Sequence, residues 1–443
     1  MKFLKSFYLT PIFFIAAWGL VLLFILSYFS VNFILIPKLL VFVLLLTIII
    51  DTIILFINKA GVYGRRNTSA RFSNGDENEV LIFLENNYSF KINIVLIDEI
   101  PHQFQIRDFK IKLKLNPGES KNISYSLRPV KRGEYKFGSL NFYVSSPLNL
   151  IRRKFVFAGN KTVPVYPSYM QMRKYELLAI SNRLTEVGVK KIRKIGRSTE
   201  FDQIRNYVIG DDYRTINWKA SARKNELMVN HYVDEKSQQV YSVIDMGRIM
   251  KMPFNGLSLV DYAINSSLVI SNIAIHKQDK AGIITFSNKV GTILPAENRS
   301  TQMLKILDVL YNQETEFLES DYEKLYAEIL AKIKHRSLII LYTNFETLDG
   351  LKRQLFYIKK LALYHLVVII FFENTELFSL LESSPENTEQ IYIKTIAEKF
   401  ALDKRQIVKE LEKNNIQSIL TSPEKLSINT INKYLELKAR GMI

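Results

Sequence analysis

The chain has no cysteine in 443 residues. That excludes disulfides, zinc–cysteine sites and thiol catalysis, and it fits a reducing compartment. Histidine is also scarce. The five, at positions 102, 231, 276, 335 and 365, stand alone, none at metal-ligand spacing from another. His276 and His335 each end a helical stretch beside lysine or arginine, where a cation favours the helix dipole; they read as capping groups rather than catalytic bases. No Gly-x-x-x-x-Gly-Lys phosphate loop, Gly-x-Ser-x-Gly elbow or His-Glu-x-x-His zinc helix occurs. The common hydrolase and nucleotidase constellations are therefore missing, and the sequence predicts no enzyme and no cofactor.

Hydrophobic residues make up 48% of the chain and charged residues 23%, an ordinary globular mixture. The mean hydropathy of +0.02 hides an uneven distribution. Tyr8 to Phe29 carries no charge, and Pro37 to Ile57 is interrupted only by Lys38 and Asp51. About 20 apolar residues at ~1.5 Å rise cross a ~30 Å hydrocarbon layer, so both runs are long enough to span a bilayer. A cleaved leader would have a shorter apolar run, a small-residue cleavage site and no second run directly behind it. Lys2 and Lys5 precede the first span, and Lys59, Arg65, Arg66 and Arg71 follow the second. The connection, roughly residues 30–36, is uncharged, so both ends are expected in the cytoplasm. Lys38 can snorkel to the outer surface. Asp51 lies nearer the cytoplasmic end of its span. A buried carboxylate there is costly unless paired, and the plainer expectation is that the hydrocarbon boundary and local water lie close by.

The net charge of +17 suits a body beside an anionic leaflet. Nucleic acid is the rival partner for such charge. Here the basic residues are dispersed and no recognition motif accompanies them, so lipid is expected and nucleic acid is not.

At this length the chain holds two soluble cores beyond the anchor. The pattern divides into a hairpin of membrane helices (1–60, helices about 8–29 and 37–57), an antiparallel β-sandwich (61–166), a helical linker with an irregular charged block (167–238), and an α/β domain (239–443). Between 71 and 166, short runs such as Val80–Leu84, Ile92–Leu96, Phe109–Leu115, Ile123–Leu127, Tyr135–Phe137 and Leu140–Val144 alternate with turn-formers. They predict about seven strands. After Pro167 the pattern is helical to about Lys194. From Val240, apolar strand runs alternate with amphipathic helical stretches, which predicts a parallel sheet covered on both faces. Ligands of such sheets sit at the carboxyl ends of the strands, here the loops after Ile244, Phe286 and Tyr342.

The central block reads Gly196-Arg197-Ser198-Thr199-Glu200-Phe201, Arg205-Asn206-Tyr207, Gly210-Asp211-Asp212, Arg214, Ile216-Asn217-Trp218, Ser221-Ala222-Arg223 and Leu227-Met228-Val229. It resembles the signature of the bacterial domain of unknown function fifty-eight (DUF 58). The wider layout is similar too: a membrane hairpin, a sandwich closing on Arg132-Gly133 and Ser146-Pro147-Leu148, the block, then a domain like the von Willebrand factor A fold. The resemblance implies an inner-membrane protein whose partner is a MoxR-type AAA+ ATPase, in envelope or stress-related protein maturation. On their own chemistry, Gly210-Asp211-Asp212 is a turn. Arg197, Arg205, Arg214 and Arg223 offer planar donors to Glu200, Asp202, Asp211 and Asp212. Trp218 is a large apolar anchor with one polar handle. Two readings stand: a docking surface or small-ligand pocket, and an ion-pair network that locks the segment onto the sheet. Asp211 and Asp212 as an acid–base pair is a hydrolase alternative, although neighbours in a turn more often point apart.

Von Willebrand A domains often hold a divalent cation on Asp-x-Ser-x-Ser with later threonine and aspartate ligands. Here Asp245 matches the leading aspartate, while Gly247 and Ile249 replace the serines and Asn344 stands where the aspartate is expected. Arg248 adds a positive charge able to neutralise Asp245. Hard cations need several oxygen ligands, so no tightly bound metal is expected; a metal-dependent ligand binder is the alternative.

Overall fold

The computed structural model describes residues 2–29, 34–157, 159–180, 200–233, 237–374 and 387–442. The chain divides into two compact units, Met1–Tyr166 and Pro167–Ile443.

In the first unit, helices α1 (Pro11–Tyr28) and α2 (Leu35–Ile57) are long and apolar enough to cross a membrane, and the rest of the chain covers almost none of either. Pro11 opens α1 at a position where a missing N–H costs nothing, and Thr10 caps it. The first span therefore starts later than the apolar run. Its leading residues Phe7–Leu9 instead form strand β1, antiparallel to β10 (Ile151–Phe157), with Phe7 opposite Arg153.

Ten strands run from Val62 to Tyr166, more than the sequence pattern predicts: β2 (Val62–Thr68), β3 (Phe72–Ser73), β4 (Asn78–Asn86), β5 (Ile92–Asp98), β6 (Ile111–Leu115), β7 (Ser120–Leu127), β8 (Gly133–Phe137), β9 (Leu140–Ser145), β10 and β11 (Lys161–Tyr166). They form three sheets, ordered β1-β10-β9-β5-β6, β2-β4-β7 and β3-β11-β8. All pairs are antiparallel except β3–β11. The strands not foreseen carry Arg65, Arg66, Arg152, Arg153, Lys154 and Lys161, which dilute the apolar signal. On β4, Val80, Ile82 and Leu84 point inward with the period of two expected of a half-buried strand; Ile82 and Leu84 join the core of Leu96, Phe142 and Val144, and Val80 joins that of Phe72, Leu127 and Val163.

Asp51 corrects the plainer expectation. It is fully buried, and protein rather than water satisfies it: Ser146 Oγ donates to one carboxylate oxygen, and the Leu150 and Ile151 N–H groups donate to the other, each at 3.1 Å. The same loop holds α1, because Thr10 Oγ1 donates to the Asn149 and Leu150 carbonyls at 2.6 and 3.1 Å. Arg153 Nη1 donates at 2.6 Å to the carbonyls of Leu55 and Asn58, two of the unpaired acceptors at the end of α2. One loop and one arginine thus clamp both apolar helices to the sandwich. Arg66, counted above among the flanking charges, is buried against Asp98. The flanking basic residues that remain are Lys2, Lys5, Lys59, Arg65 and Arg71.

In the second unit, α3 (Tyr169–Ile180) leads in; the helical stretch foreseen to Lys194 otherwise lies outside the described residues. The charged block is not irregular. It forms an antiparallel hairpin of β12 (Glu200–Asn206) and β13 (Met228–Val233), with α4 (Trp218–Lys224) between them. Then come β14 (Gln239–Asp245), a small β15–β16 hairpin (Pro253–Phe254, Leu257–Ser258), α5 (Leu259–His276), β17 (Lys280–Phe286), β18 (Val290–Glu297), α6 (Gln302–Tyr311), α7 (Tyr322–Lys332), β19 (Leu338–Tyr342), α8 (Leu348–Tyr364), β20 (Leu366–Phe372), α9 (Thr388–Lys413), β21 (Gln417–Thr421) and α10 (Leu426–Ala439). The sheet runs β18-β17-β14-β19-β20-β21. Its strands are parallel except β18, an antiparallel edge missed because its residues are only half-buried. His276 ends α5 and meets Glu176 at 3.1 Å, whereas His335 lies beyond the end of α7.

Candidate functional site

Two groups of sequence-predicted residues come together in the second unit. The first is the β12–β13 hairpin. Arg205 grips Asp211 with both guanidinium nitrogens, at 2.8 and 2.6 Å, and the Val208 N–H donates to the same carboxylate at 2.9 Å. The Arg205 hydrogen bonds, then the Val208 amide, hold the Asp211 carboxyl below the usual carboxylate range. Gly210 supplies the positive φ of +111° that the turn needs. Asp212 faces elsewhere, its side chain accepting from the Arg214 N–H at 3.0 Å. The two carboxylates therefore point to different partners, which leaves them poorly placed as an acid–base pair. Asn217 caps α4 through the Ala220 N–H and donates to Asn230 Oδ1 at 2.8 Å. The Tyr207 N–H donates to the Leu227 carbonyl at 2.8 Å, closing the loop at its base.

The foreseen network is smaller than four arginines. Among the described residues, Arg214 and Arg223 meet no carboxylate; Arg214 lies over the Tyr213 ring instead. Arg197 and the side chains of Glu200, Phe201 and Asp202 lie outside the described residues. Trp218 corrects the anchoring expectation. It stands 70% exposed at the start of α4, with Ile209 at 97%, Tyr213 at 68% and Val208 at 60%. Arg214, Lys219, Arg223 and Lys224 are exposed on the same segment. The turn is ordered from within, and its large apolar groups are turned outward.

The second group lies where β14 and β19 end. Asp245 is fully buried and accepts four hydrogen bonds: from Ser320 Oγ, from Thr343 Oγ1 at 2.7 Å, from Tyr322 OH at 3.2 Å and from the Gly247 N–H at 2.8 Å. Burial pushes its carboxyl above the usual range against the pull of those donors. Arg248, expected to neutralise Asp245, is exposed and does not pair with it. The missing serine at 247 has a physical reason: a Cβ there would meet Ser320 Oγ at 1.9 Å. Ser320, from a distant loop, thus fills the place a residue-247 side chain would take. Gly247→Ser is accordingly expected to expel the Ser320 hydroxyl and cost about 1–3 kcal/mol by overpacking; differential scanning calorimetry of the wild type and the variant checks it.

Asn344 is buried, and its Oδ1 accepts from Lys404 Nζ at 2.6 Å, so the position expected to resemble an acidic ligand is an amide bound to a cation. Ser320, Tyr322 and Lys404 were not singled out from the sequence. A signal existed only for Lys404, which interrupts the apolar stripe Ala397, Phe400, Ile407 and Leu411 of α9 at helical spacing. Among the described residues no group of three or more His, Cys, Asp or Glu side chains is placed to hold a metal ion.

The chain is 31% identical over 128 residues to "Uncharacterized protein YeaD" of Bacillus subtilis (strain 168), an alignment covering 28% of this chain and 31% of that relative. The match thus spans under a third of the relative's length. Among solved structures, the conserved hypothetical protein BatB from Bacteroides thetaiotaomicron is 12% identical, with a TM-score of 0.26, covering 46% of this chain and 99% of that one. The PapD-like domain 7 of human CEP192 is 15% identical, with a TM-score of 0.20, covering 24% of this chain and 86% of that one. Residues 203–398, which hold most of the β12–β13 hairpin and the sheet from β14 to β20, match the family model described as "Protein of unknown function DUF58", and with the Bacillus relative this match supports the DUF58 family for this chain.

Proposed function

We propose that this chain is a membrane-anchored, non-enzymatic adaptor that docks a soluble protein through the β12–β13 hairpin, the partner being a MoxR-type AAA+ ATPase in envelope or stress-related protein maturation. The observation that carries this reading is the outward set of Ile209, Tyr213, Trp218 and Val208 on a turn whose polar groups are already satisfied. An ordered loop loses little entropy on binding, and exposed Trp and Tyr are the side chains that most often dominate an interface. Arg214, Lys219, Arg223 and Lys224 beside them call for an apolar pocket rimmed with acidic groups on the partner. In this reading α1 and α2 cross the inner membrane as a hairpin with both ends cytoplasmic. The parallel sheet is a von Willebrand A-like domain whose ion site has been replaced by the hydroxyl shell of Asp245. A hydrolase is disfavoured because Asp211 and Asp212 are committed to Arg205 and to the loop backbone.

Cross-linking in native membranes followed by mass spectrometry tests the docking surface. Loss of a central tryptophan costs about 2 kcal/mol or more, so Trp218→Ala should lower the yield of its cross-linked partner some 30-fold. Arg214→Ala should have a smaller effect of the same sign. Because both side chains are exposed, protein level and melting temperature should stay unchanged. An identical partner set and yield in both variants would remove the proposal.

A further inference from the structure

A cavity of about 410 Å³ opens at the carboxyl ends of β19, β20 and β21, lined also by α9 and by Met252, Phe254 and Leu259. Its walls are mainly apolar, with Met252, Phe254, Phe372, Phe400 and Leu420 among the residues that line it. Buried Asn344 and half-buried Lys404 are polar groups of this lining. The Lys404 ammonium has three N–H donors, and among the described residues one hydrogen-bond partner, Asn344 Oδ1 at 2.6 Å. The ring of buried Phe371 lies 5.5 Å from Nζ. Glu346, Glu373 and Arg405 also line the cavity, yet neither glutamate forms an ion pair with Lys404. Among the described residues, no anion lies at contact distance from this partly buried cation, which stands beside space of the size that small-molecule ligands occupy.

We propose that this cavity binds a carboxylate carried on a compact apolar body, with the carboxylate on Lys404 Nζ and the apolar part against Met252, Phe254 and Phe400. The inference does not depend on the hairpin as a docking surface. A fatty-acid headgroup and the free carboxyl end of an apolar peptide share this chemistry. Burial pulls the Lys404 ammonium down to about 8, against the opposing pull of Glu346 and Glu373. An anion in contact restores what burial takes away. Affinity should therefore be full below pH 8 and fall as pH rises through 8, while the ligand remains ionised throughout. The other charged groups facing the site are Glu346 after β19, Glu373 after β20 and Arg405 on α9.

The experiment uses the full chain in detergent and ligand-observed NMR with hexanoate, N-acetyl-Ala-Leu-Phe as the free acid, and the same peptide as its amide. At least one acid is expected to bind with Kd of about 0.1–1 mM. The amide should bind at least tenfold more weakly than the free acid. Hexanoate binding alone assigns the site to acyl chains, and peptide binding alone assigns it to chain ends. Lys404→Met keeps an unbranched side chain one atom shorter and removes the charge, so it should fold and lose at least tenfold in affinity. Ala401→Trp, which fills the cavity from the same helix, should abolish binding. Equal binding of acid and amide, an unchanged affinity in Lys404→Met, or no binding of either acid would overturn the proposal.

Discussion

Asp51→Leu is expected to lower the melting temperature of the first unit by about 10 °C or more and to make the loop at Ser146–Ile151 accessible to protease. The reason is the number of groups one carboxylate satisfies. Its removal strands the Ser146 hydroxyl and the Leu150 and Ile151 N–H groups in a buried site. Each unsatisfied buried group costs about 1–3 kcal/mol, and three together on the order of 3–9 kcal/mol. At roughly 2–4 °C per kcal/mol for a domain of this size, the expected shift follows. Asp51→Asn retains one acceptor and turns a donor toward the others, so it should fall between wild type and leucine. Circular dichroism melts of the three proteins in the same detergent check the order. A leucine variant that melts with the wild type would mean that the clamp does not hold the helices to the sandwich. The comparison also tells a structural carboxylate from one serving transport, because a transport residue has no reason to follow the stability series.

Arg66→Met should destabilise the sandwich by about 3–5 kcal/mol, since removing one partner of a buried pair leaves the other charge uncompensated. The side chains of Arg66 and Asp98 are 1% and 0% exposed, 2.6 Å apart. Tyr125 OH donates to the other Asp98 oxygen at 2.5 Å, and Arg66 Nη2 donates to the Gly138 carbonyl at 2.6 Å. Burial already raises the Asp98 carboxyl, outweighing Arg66 and Tyr125. Without the guanidinium it rises further. A raised acid binds its proton more tightly in the folded state than in the unfolded one, so its penalty is small at low pH and grows as pH climbs through the folded-state value. The deficit of Arg66→Met relative to wild type should accordingly be smaller at pH 5 than at pH 8. Urea unfolding at the two pH values measures it, and a deficit that shrinks with rising pH would contradict the pairing.

What the sequence shows and what it hides follow the range of the interactions. The two apolar spans and the buried strands Val240–Ile244, Leu338–Tyr342 and Leu366–Phe372 are legible because an uninterrupted apolar run is a local property. The polar strands β2 and β10 are hidden because Arg66 and Arg153, each bonded to groups far along the chain, interrupt their apolar pattern, and β11 because only Val163 and Val165 of its residues are buried. The β12–β13 hairpin is hidden for a related reason: its strands are dense in charge, and its order comes from Arg205 with Asp211 and from Asn217 with Asn230. The aspartates at 51 and 245 can be picked out by position, but not their surroundings. Asp51 meets Ser146, 95 residues on, and Asp245 meets Ser320, 75 residues on. Nothing local announces either pairing. Ser146-Pro147-Leu148, quoted from the resemblance as a landmark, acquires a physical role only once Asp51 is seen beside it.

The adaptor reading requires above all that the second unit meet cytoplasmic proteins. A protease-cleavable tag fused after Ile443 tests this in one step. The expected result is a tag resistant in intact spheroplasts and cut in inverted membrane vesicles, with the fusion still membrane-bound. Cleavage in intact spheroplasts would place the hairpin and the cavity on the far side of the membrane, and a cytoplasmic ATPase partner would be ruled out.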